Sequence, residues 1–302
     1  MAKTIGVVVS ERISAGLVVD HRLVGPLRMY PENLEEAEGL VELHTDALVE
    51  TICDQVMLAR DGHEGIQAVG VAAPGIMKNG VVEDSPNLPQ MKGGRIAELL
   101  SAQLAAHGLH VPVCLLNDAD GVAAGLAAES GKLDHFIRVF TLGIGIGFGR
   151  YPFAPGVWEA GHAVVTLDDK ENYCGCGGRG HLEGIMGHRA MRLRFLDMEP
   201  EEVFAAARKG PDPDHRCRNF ARLWHKALAA GISSSIAQEG AGKFYLTGFN
   251  VRFVDLTLLK DYLAQMIKMS PLQSYTLEIV EDHPEVRVIG AAVAAELANG
   301  IS

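Results

Sequence analysis

The segments Glu159–His162 and Cys174–Glu183 together carry two thiols, two imidazoles and two carboxylates, interrupted by glycines. Eleven residues lie between His162 and Cys174, and Cys176 and His181 follow closely. Thiolate and imidazole groups together suit Zn²⁺, which takes four such ligands in a tetrahedron. Gly175, Gly177, Gly178 and Gly180 let the backbone curl around one ion. Four ligand-type residues within twenty positions read as a structural zinc loop rather than as unrelated core and surface groups. Glu159 and Glu183 are left over once the metal shell is full. They either face a ligand that the metal never touches or are solvated surface carboxylates.

A chain of 302 residues can bury a sizeable core and is expected to form two lobes. Apolar residues make up 48% and charged residues 22%, as in an ordinary soluble globular protein. The net charge of −11 repels phosphate backbones and anionic lipid, so neither nucleic acid nor membrane is expected as a partner. No apolar run reaches bilayer length, and the N-terminal run lacks a signal-peptide core. Five sparse cysteines, an odd number, point to reduced thiols and a cytoplasmic setting.

Apolar spacing predicts strands at Thr4–Val9, Ala15–Val19, Ala68–Ala73, Val113–Leu116, Phe136–Leu142, Ile144–Gly149, Phe244–Leu246 and Tyr275–Val280. It predicts helices at Leu34–Leu58, Ile96–Ala106, Asp120–Glu129, Leu182–Phe195, Pro200–Arg208, His215–Gln238, Thr257–Met269 and Val288–Leu297. Lys78-Asn79-Gly80 suits a tight turn. Strands and helices alternate, so the class is α/β.

Three further stretches carry candidate chemistry. Asn117 and Asp118 follow a strand, where α/β folds bind ligands and where a carboxylate can take a proton from a hydroxyl. Asn and Asp are also preferred helix N-caps, and a helix starts here. Gly143-Ile144-Gly145-Ile146-Gly147-Phe148-Gly149 allows a phosphate close to the backbone, although a tight hairpin would use the same glycines. Gly75, Asn79 and Pro86-Asn87-Leu88 form polar loops able to hydrogen-bond a polyol, or simply to connect elements.

The order of these pieces is more specific than any one of them. Ala73-Pro74-Gly75, Pro86-Asn87-Leu88, Asn117-Asp118-Ala119, Leu142-Gly143 through Gly147, Glu159 with His162, and Cys174 through Glu183 occur in succession along most of the chain. This succession resembles the ROK family of sugar kinases, regulators and related proteins. The resemblance implies a two-lobed actin-like ATPase fold, ribonuclease H-like, with a central cleft. It implies one lobe of residues 1–117 joined by the C-terminal helix 287–302, and a second lobe of residues 118–286 carrying the zinc loop. Asp118 is then the general base on a hexose hydroxyl. Asn87, Asn117, Asp118, Glu159, His162 and Glu183 bind the sugar. Gly143, Gly145, Gly147 and Gly248 serve the nucleotide, and His162, Cys174, Cys176 and His181 hold zinc. Mg-ATP is the expected phosphate donor, in a glucokinase-like transfer. Family regulators carry an N-terminal helix-turn-helix domain, whereas this chain opens on a strand, so direct DNA binding is not expected. The family is commonly dimeric, so a homodimer is expected.

The departures from the family pattern fall on the nucleotide side. The family opens with Asp-x-Gly-Gly-Thr, and here the stretch reads Val8-Val9-Ser10-Glu11-Arg12. Ile144 replaces a threonine of the second phosphate loop, and Gly248-Phe249 replaces a glycine pair. His181 stands where the family has a third cysteine. A catalytically inactive, sugar-binding homologue, acting as a sensor or partner protein, is therefore the alternative to a kinase.

Overall fold

The computed structural model describes residues 1–33, 39–78, 80–154, 156, 158–210 and 214–301. Asn79 and the first five residues of the helix expected from Leu34 lie outside them. The contacts divide the chain into two units. One comprises Met1–Ile137, Gly149–Val157 and His283–Ser302, and the other Arg138–Phe148 and Trp158–Asp282.

The first unit is built on a five-stranded sheet. β1 (Lys3–Val9) pairs antiparallel with β2 (Ile13–Val19), which pairs with β3 (Arg22–Tyr30) at the edge. On its other side β1 runs parallel to β4 (Ala68–Ala73), with the short hairpin β5 (Ile76–Lys78) and β6 (Val81–Asp84) following. β4 in turn runs parallel to β7 (Val113–Asn117). β1 and β4 are almost continuously buried, as strands covered on both faces must be. Ile5, Val7 and Val9 pack with Leu48, Ile52 and Val56, whereas Val8 packs with Val288, Ala291 and Ala292.

Three glycines line up across this sheet. Gly16, Gly6 and Gly70 are register partners on β2, β1 and β4. They clear a groove for the C-terminal helix, Pro284–Ala298. A Cβ on Gly6 would stand 1.9 Å from the Val288 carbonyl oxygen, and one on Gly70 1.8 Å from that of Ala291. Backbone cannot yield as a flexible side chain can, so Gly70→Ala is expected to destabilise the protein by about 1–3 kcal/mol. Denaturant unfolding measures this, and an unchanged midpoint would remove the close-approach argument.

The helices of this unit are α1 (Gly39–Glu42), α2 (Thr45–Arg60), α3 (Ile96–Ala106) and α4 (Asp118–Glu129). The single helix expected over Leu34–Leu58 is interrupted at Leu43–His44. The Leu43 amide closes a turn on Leu40, and His44 is extended before α2 restarts. β3 is absent from the sequence expectation, and it contains the turn-forming pair Gly25-Pro26. The ladder shifts register there, so Gly25, Pro26 and Leu27 fall in a bulge on an edge strand, where proline's missing N–H is harmless. The boundary expected after Asn117 and the contact boundary after Ile137 differ by α4. That helix packs on the C-terminal helix so closely that a Cβ on Gly290 would stand 1.7 Å from the Gly121 carbonyl oxygen.

The second unit has a four-stranded sheet in the order β11 (Thr276–Ile279), β10 (Lys243–Thr247), β8 (Ile137–Leu142), β9 (Ile146–Tyr151). Its helices are α5 (Leu182–Met186), α6 (His188–Arg194), α7 (Pro200–Arg208), α8 (His215–Glu239) and α9 (Leu256–Met266). Phe140, Phe204, Trp224, Phe244 and Phe253 fill the core, with the rings of Phe204 and Phe253 stacked 4.4 Å apart. Proline and a reciprocal Glu199–Glu202 capping box start α7, Asp214 caps α8, and Asp255 caps α9. The helix expected over Leu182–Phe195 breaks at Gly187, because the next amides bond elsewhere. His188 N–H donates to the Gly143 carbonyl (3.1 Å) and Arg189 N–H to that of Ile144 (3.3 Å). Among the described residues no helix is long and apolar enough to cross a membrane.

Candidate functional site

In the first unit the candidate residues Asn117 and Asp118 sit at the C-terminal end of β7, where open α/β sheets bind ligands. Asn117 is the N-cap of α4. Its Oδ1 accepts the Ala119 N–H at 2.9 Å, and its Nδ2 donates to the Gly75 carbonyl at 2.9 Å. The capping reading of this pair is thus met by Asn117, which also ties down the Pro74-Gly75 loop. Asp118 occupies the first turn of α4, half-buried, with Oδ1 2.9 Å from the Ala119 N–H. The positive end of the helix dipole favours negative charge at that position. Asn87 is exposed on its loop beside the buried Leu88.

Close to Asp118 lies an acidic residue that the sequence reading did not single out. Asp120 Oδ1 accepts the Arg150 N–H at 2.9 Å. Burial, opposed by Arg150 and helped by the nearby Asp118, pushes its carboxyl up to about 6. Gly149 lies against the same turn, its Cα so near that a Cβ would stand 1.9 Å from the Ala119 carbonyl oxygen. At the β1–β2 turn, Val8 and Val9 are buried, and Ser10 N–H closes on the Arg12 carbonyl at 3.0 Å. The Arg12 guanidinium donates to the carbonyls of Pro31 and Glu32, each at 2.8 Å.

In the second unit the four expected metal ligands converge. One donor atom from each of His162, Cys174, Cys176 and His181 lies within 4.8 Å of every other. Cys174 Sγ is 3.4 Å from His162 Nδ1 and 3.4 Å from Cys176 Sγ, and Cys176 Sγ is 3.3 Å from His181 Nδ1. Ordinary zinc bond lengths give a tetrahedron with edges of about 3.3–3.8 Å, so the spacing fits one ion. Burial, with Cys176 and the Glu183 carboxylate beside it, pushes the Cys174 thiol up to about 12. A coordinated cation would reverse that preference, because coordination deprotonates a thiol. Cys53 and Cys217 are buried elsewhere. The loop is held by backbone bonds from Val165 to Gly180 and from Gly180 to Glu171. Glu171 is anchored in turn by a two-pronged ion pair with Arg194, whose guanidinium lies over Tyr173.

Glu159 accepts the His162 N–H through its backbone carbonyl at 2.9 Å, which forms the short turn Ala160–His162. Glu183 is half-buried, so the solvated reading fails for it. Its Oε2 accepts the Ile146 N–H at 3.0 Å, and its Oε1 lies 3.7 Å from Cys174 Sγ. The glycine loop therefore adjoins the Cys/His loop. Gly143 N–H bonds the Gly145 carbonyl at 3.0 Å, and Ile144 is exposed at the tip. Gly147 follows in β9. Gly248 lies against Leu142 with φ +92°, a left-handed geometry that favours glycine. Sequence reasoning missed Asn250, which carries no local signal. Fully buried, it donates to the Gly143 carbonyl at 3.0 Å and meets His188 Nδ1 at 3.3 Å. The Phe249 ring rests against Gly143, edge-on to His188.

Known proteins resemble this chain along most of its length. The sequence profile of the ROK family matches residues 35–268. A glucokinase of Pyrobaculum calidifontis is 31% identical over 56% of this chain, a stretch that spans 58% of that enzyme. An N-acetylmannosamine kinase of Haemophilus influenzae is 28% identical over 85% of this chain and 87% of its own. The crystal structure of the ROK hexokinase from Thermus thermophilus superposes with a TM-score of 0.80 at 21% identity, covering 99% of this chain and all of that one. The fold is thus the two-lobed actin-like fold of ROK sugar kinases.

Proposed function

This chain belongs to the ROK family, and from that premise we propose that it is a sugar kinase transferring the ATP γ-phosphate to a hydroxyl of a glucose-like hexose. The observation that carries the reading is the half-buried Asp118 in the first turn of α4, at the end of β7. Asn117 and Asp118 both accept the Ala119 N–H, and Asp118 would act as the base from a first turn whose dipole favours its anion. By the family pattern the sugar is bound by Asn87, Asn117, Asp118, Glu159, His162 and Glu183. Asn117 and Glu183 retain acceptor capacity beside the bonds described, since an amide or carboxylate oxygen has more than one lone pair. Gly143, Gly145, Gly147 and Gly248 serve the nucleotide. Phosphoryl transfer requires chiefly positioning and charge neutralisation, with Mg²⁺ accompanying ATP. The net charge of −11 supports a protein without direct DNA contact, and a cytoplasmic homodimer completes the reading.

A second reading is favoured by one observation. The buried Val8 stands where the family pattern has a carboxylate for Mg²⁺, and the neighbouring Arg12 is engaged by loop carbonyls. A protein that kept sugar recognition and lost transfer would bind sugar and leave ATP intact. Sugar-dependent ADP release with Mg-ATP separates the two. Activity supports the kinase. Sugar-induced thermal stabilisation without ADP release supports the sensor, and no stabilisation across a hexose and N-acetylhexosamine panel would sink both.

Zinc is the cation that the Cys₂His₂ donor set fits, in a closed structural role that orders His162 and the start of α5. Protein purified without added metal is expected to hold about one zinc per chain. Elemental analysis finding no stoichiometric metal would defeat this assignment.

A further inference from the structure

Glu183 connects two loops that the proposed chemistry treats separately. It lies on the first turn of α5, two residues after His181. Its carboxylate crosses to the start of β9, the edge strand of the sheet, where Oε2 takes the Ile146 N–H at 3.0 Å. Gly145 lies flat on the same carboxylate, and a Cβ there would be 2.4 Å from Oε2. On the other side Oε1 faces Cys174 Sγ, and the neighbouring Gly184 packs on the Cys174 amide nitrogen, 2.9 Å from where its Cβ would stand. The far end of the glycine loop is fastened through α6, by the amides of His188 and Arg189 on the carbonyls of Gly143 and Ile144.

We infer that Glu183 is a positioning residue that fastens the Gly143–Gly147 loop to the Cys174–His181 metal loop, so that metal loading sets how firmly the glycine loop is held. The inference rests on the metal assignment above. An ion that fixes His181 fixes the N-terminal turn of α5, and with it the carboxylate that holds Ile146. The edge position makes the tether matter: the Ile146 amide takes its acceptor from a side chain.

Hydrogen exchange of the full-length protein tests this at the Ile146 amide, with β4 as the reference for global opening. Four samples suffice: zinc-loaded wild type, wild type stripped by a chelator, and zinc-loaded Glu183→Gln and Glu183→Ala, each with its zinc content measured. Exchange at Ile146 is expected to rise about tenfold or more in stripped wild type and in Glu183→Ala, with β4 unchanged. Glu183→Gln keeps an acceptor oxygen and is expected to stay near wild type. Zinc present in Glu183→Ala together with wild-type exchange at Ile146 overturns the inference. Unchanged exchange after stripping overturns it as well. If stripping also exposes β4, the zinc-loaded Ala variant decides alone. Wild type without stoichiometric zinc overturns the metal assignment and the coupling together, which distinguishes that failure from the failure of the coupling by itself.

Discussion

Asp118→Asn is expected to lower sugar-dependent ADP release by about 10²–10⁴-fold, the usual contribution of a positioned general base. Asn is close to isosteric and can still accept the Ala119 N–H, so α4 should start where it does now. The substitution removes proton acceptance and little else. Sugar-induced thermal stabilisation should therefore survive, and the loss should fall on kcat rather than on sugar affinity. Steady-state kinetics alongside thermal shifts provides the check. A variant as active as wild type would exclude Asp118 as the base, while an inactive wild type with intact sugar stabilisation would favour the sensor.

The second large effect concerns Asp120 and depends on pH. Its carboxyl titrates at about 6 in the folded chain, against an ordinary value of 3.8, chiefly because it is buried. The folded state therefore holds its proton more tightly than the unfolded state does. Stability is full below the unfolded value, falls as pH rises between about 4 and 6, and levels off above that range. The rise from the ordinary value corresponds to about 3 kcal/mol. Asp120→Asn keeps an oxygen for the Arg150 N–H and removes the buried charge. It is expected to stabilise the protein by up to about 3 kcal/mol near pH 7.5 and to make little difference near pH 4. Arg150 on β9 and Asp118 on the same helix are the charged groups acting on it, and their opposite effects leave burial dominant. Chemical denaturation at the two pH values tests this. The same gain at both would show that relief of buried charge is not its source.

Elements with strong local signals were legible from the sequence. Ala68–Ala73, Ile96–Ala106 and Pro200–Arg208 begin and end as expected, because an unbroken apolar run, a helical period and a proline with its capping box are properties of neighbouring residues. The elements that differ do so where a distant partner intervenes. The helix from Leu182 breaks at Gly187 because the carbonyls of Gly143 and Ile144 take the next amides. β3 survives Gly25-Pro26 because the bulge opposite Gly16 absorbs them. The role of α4 in the first unit follows from its contact with a helix more than 150 residues later, at Gly290.

The candidate site divides along the same line. The candidate Cys₂His₂ metal-ligand set, the order of the motifs and the presence of Val8 where the family pattern has a carboxylate are matters of residue type and spacing, and they were legible in the sequence. Only packing established that Asn117 caps while Asp118 lies in the first turn, that Asp120 is half-buried and bonded to the Arg150 N–H, and that Glu183 spans from Cys174 to Ile146. Ligand chemistry is written in side-chain types. Burial, desolvation and the direction of a carboxylate arise only when segments far apart in the chain are packed together.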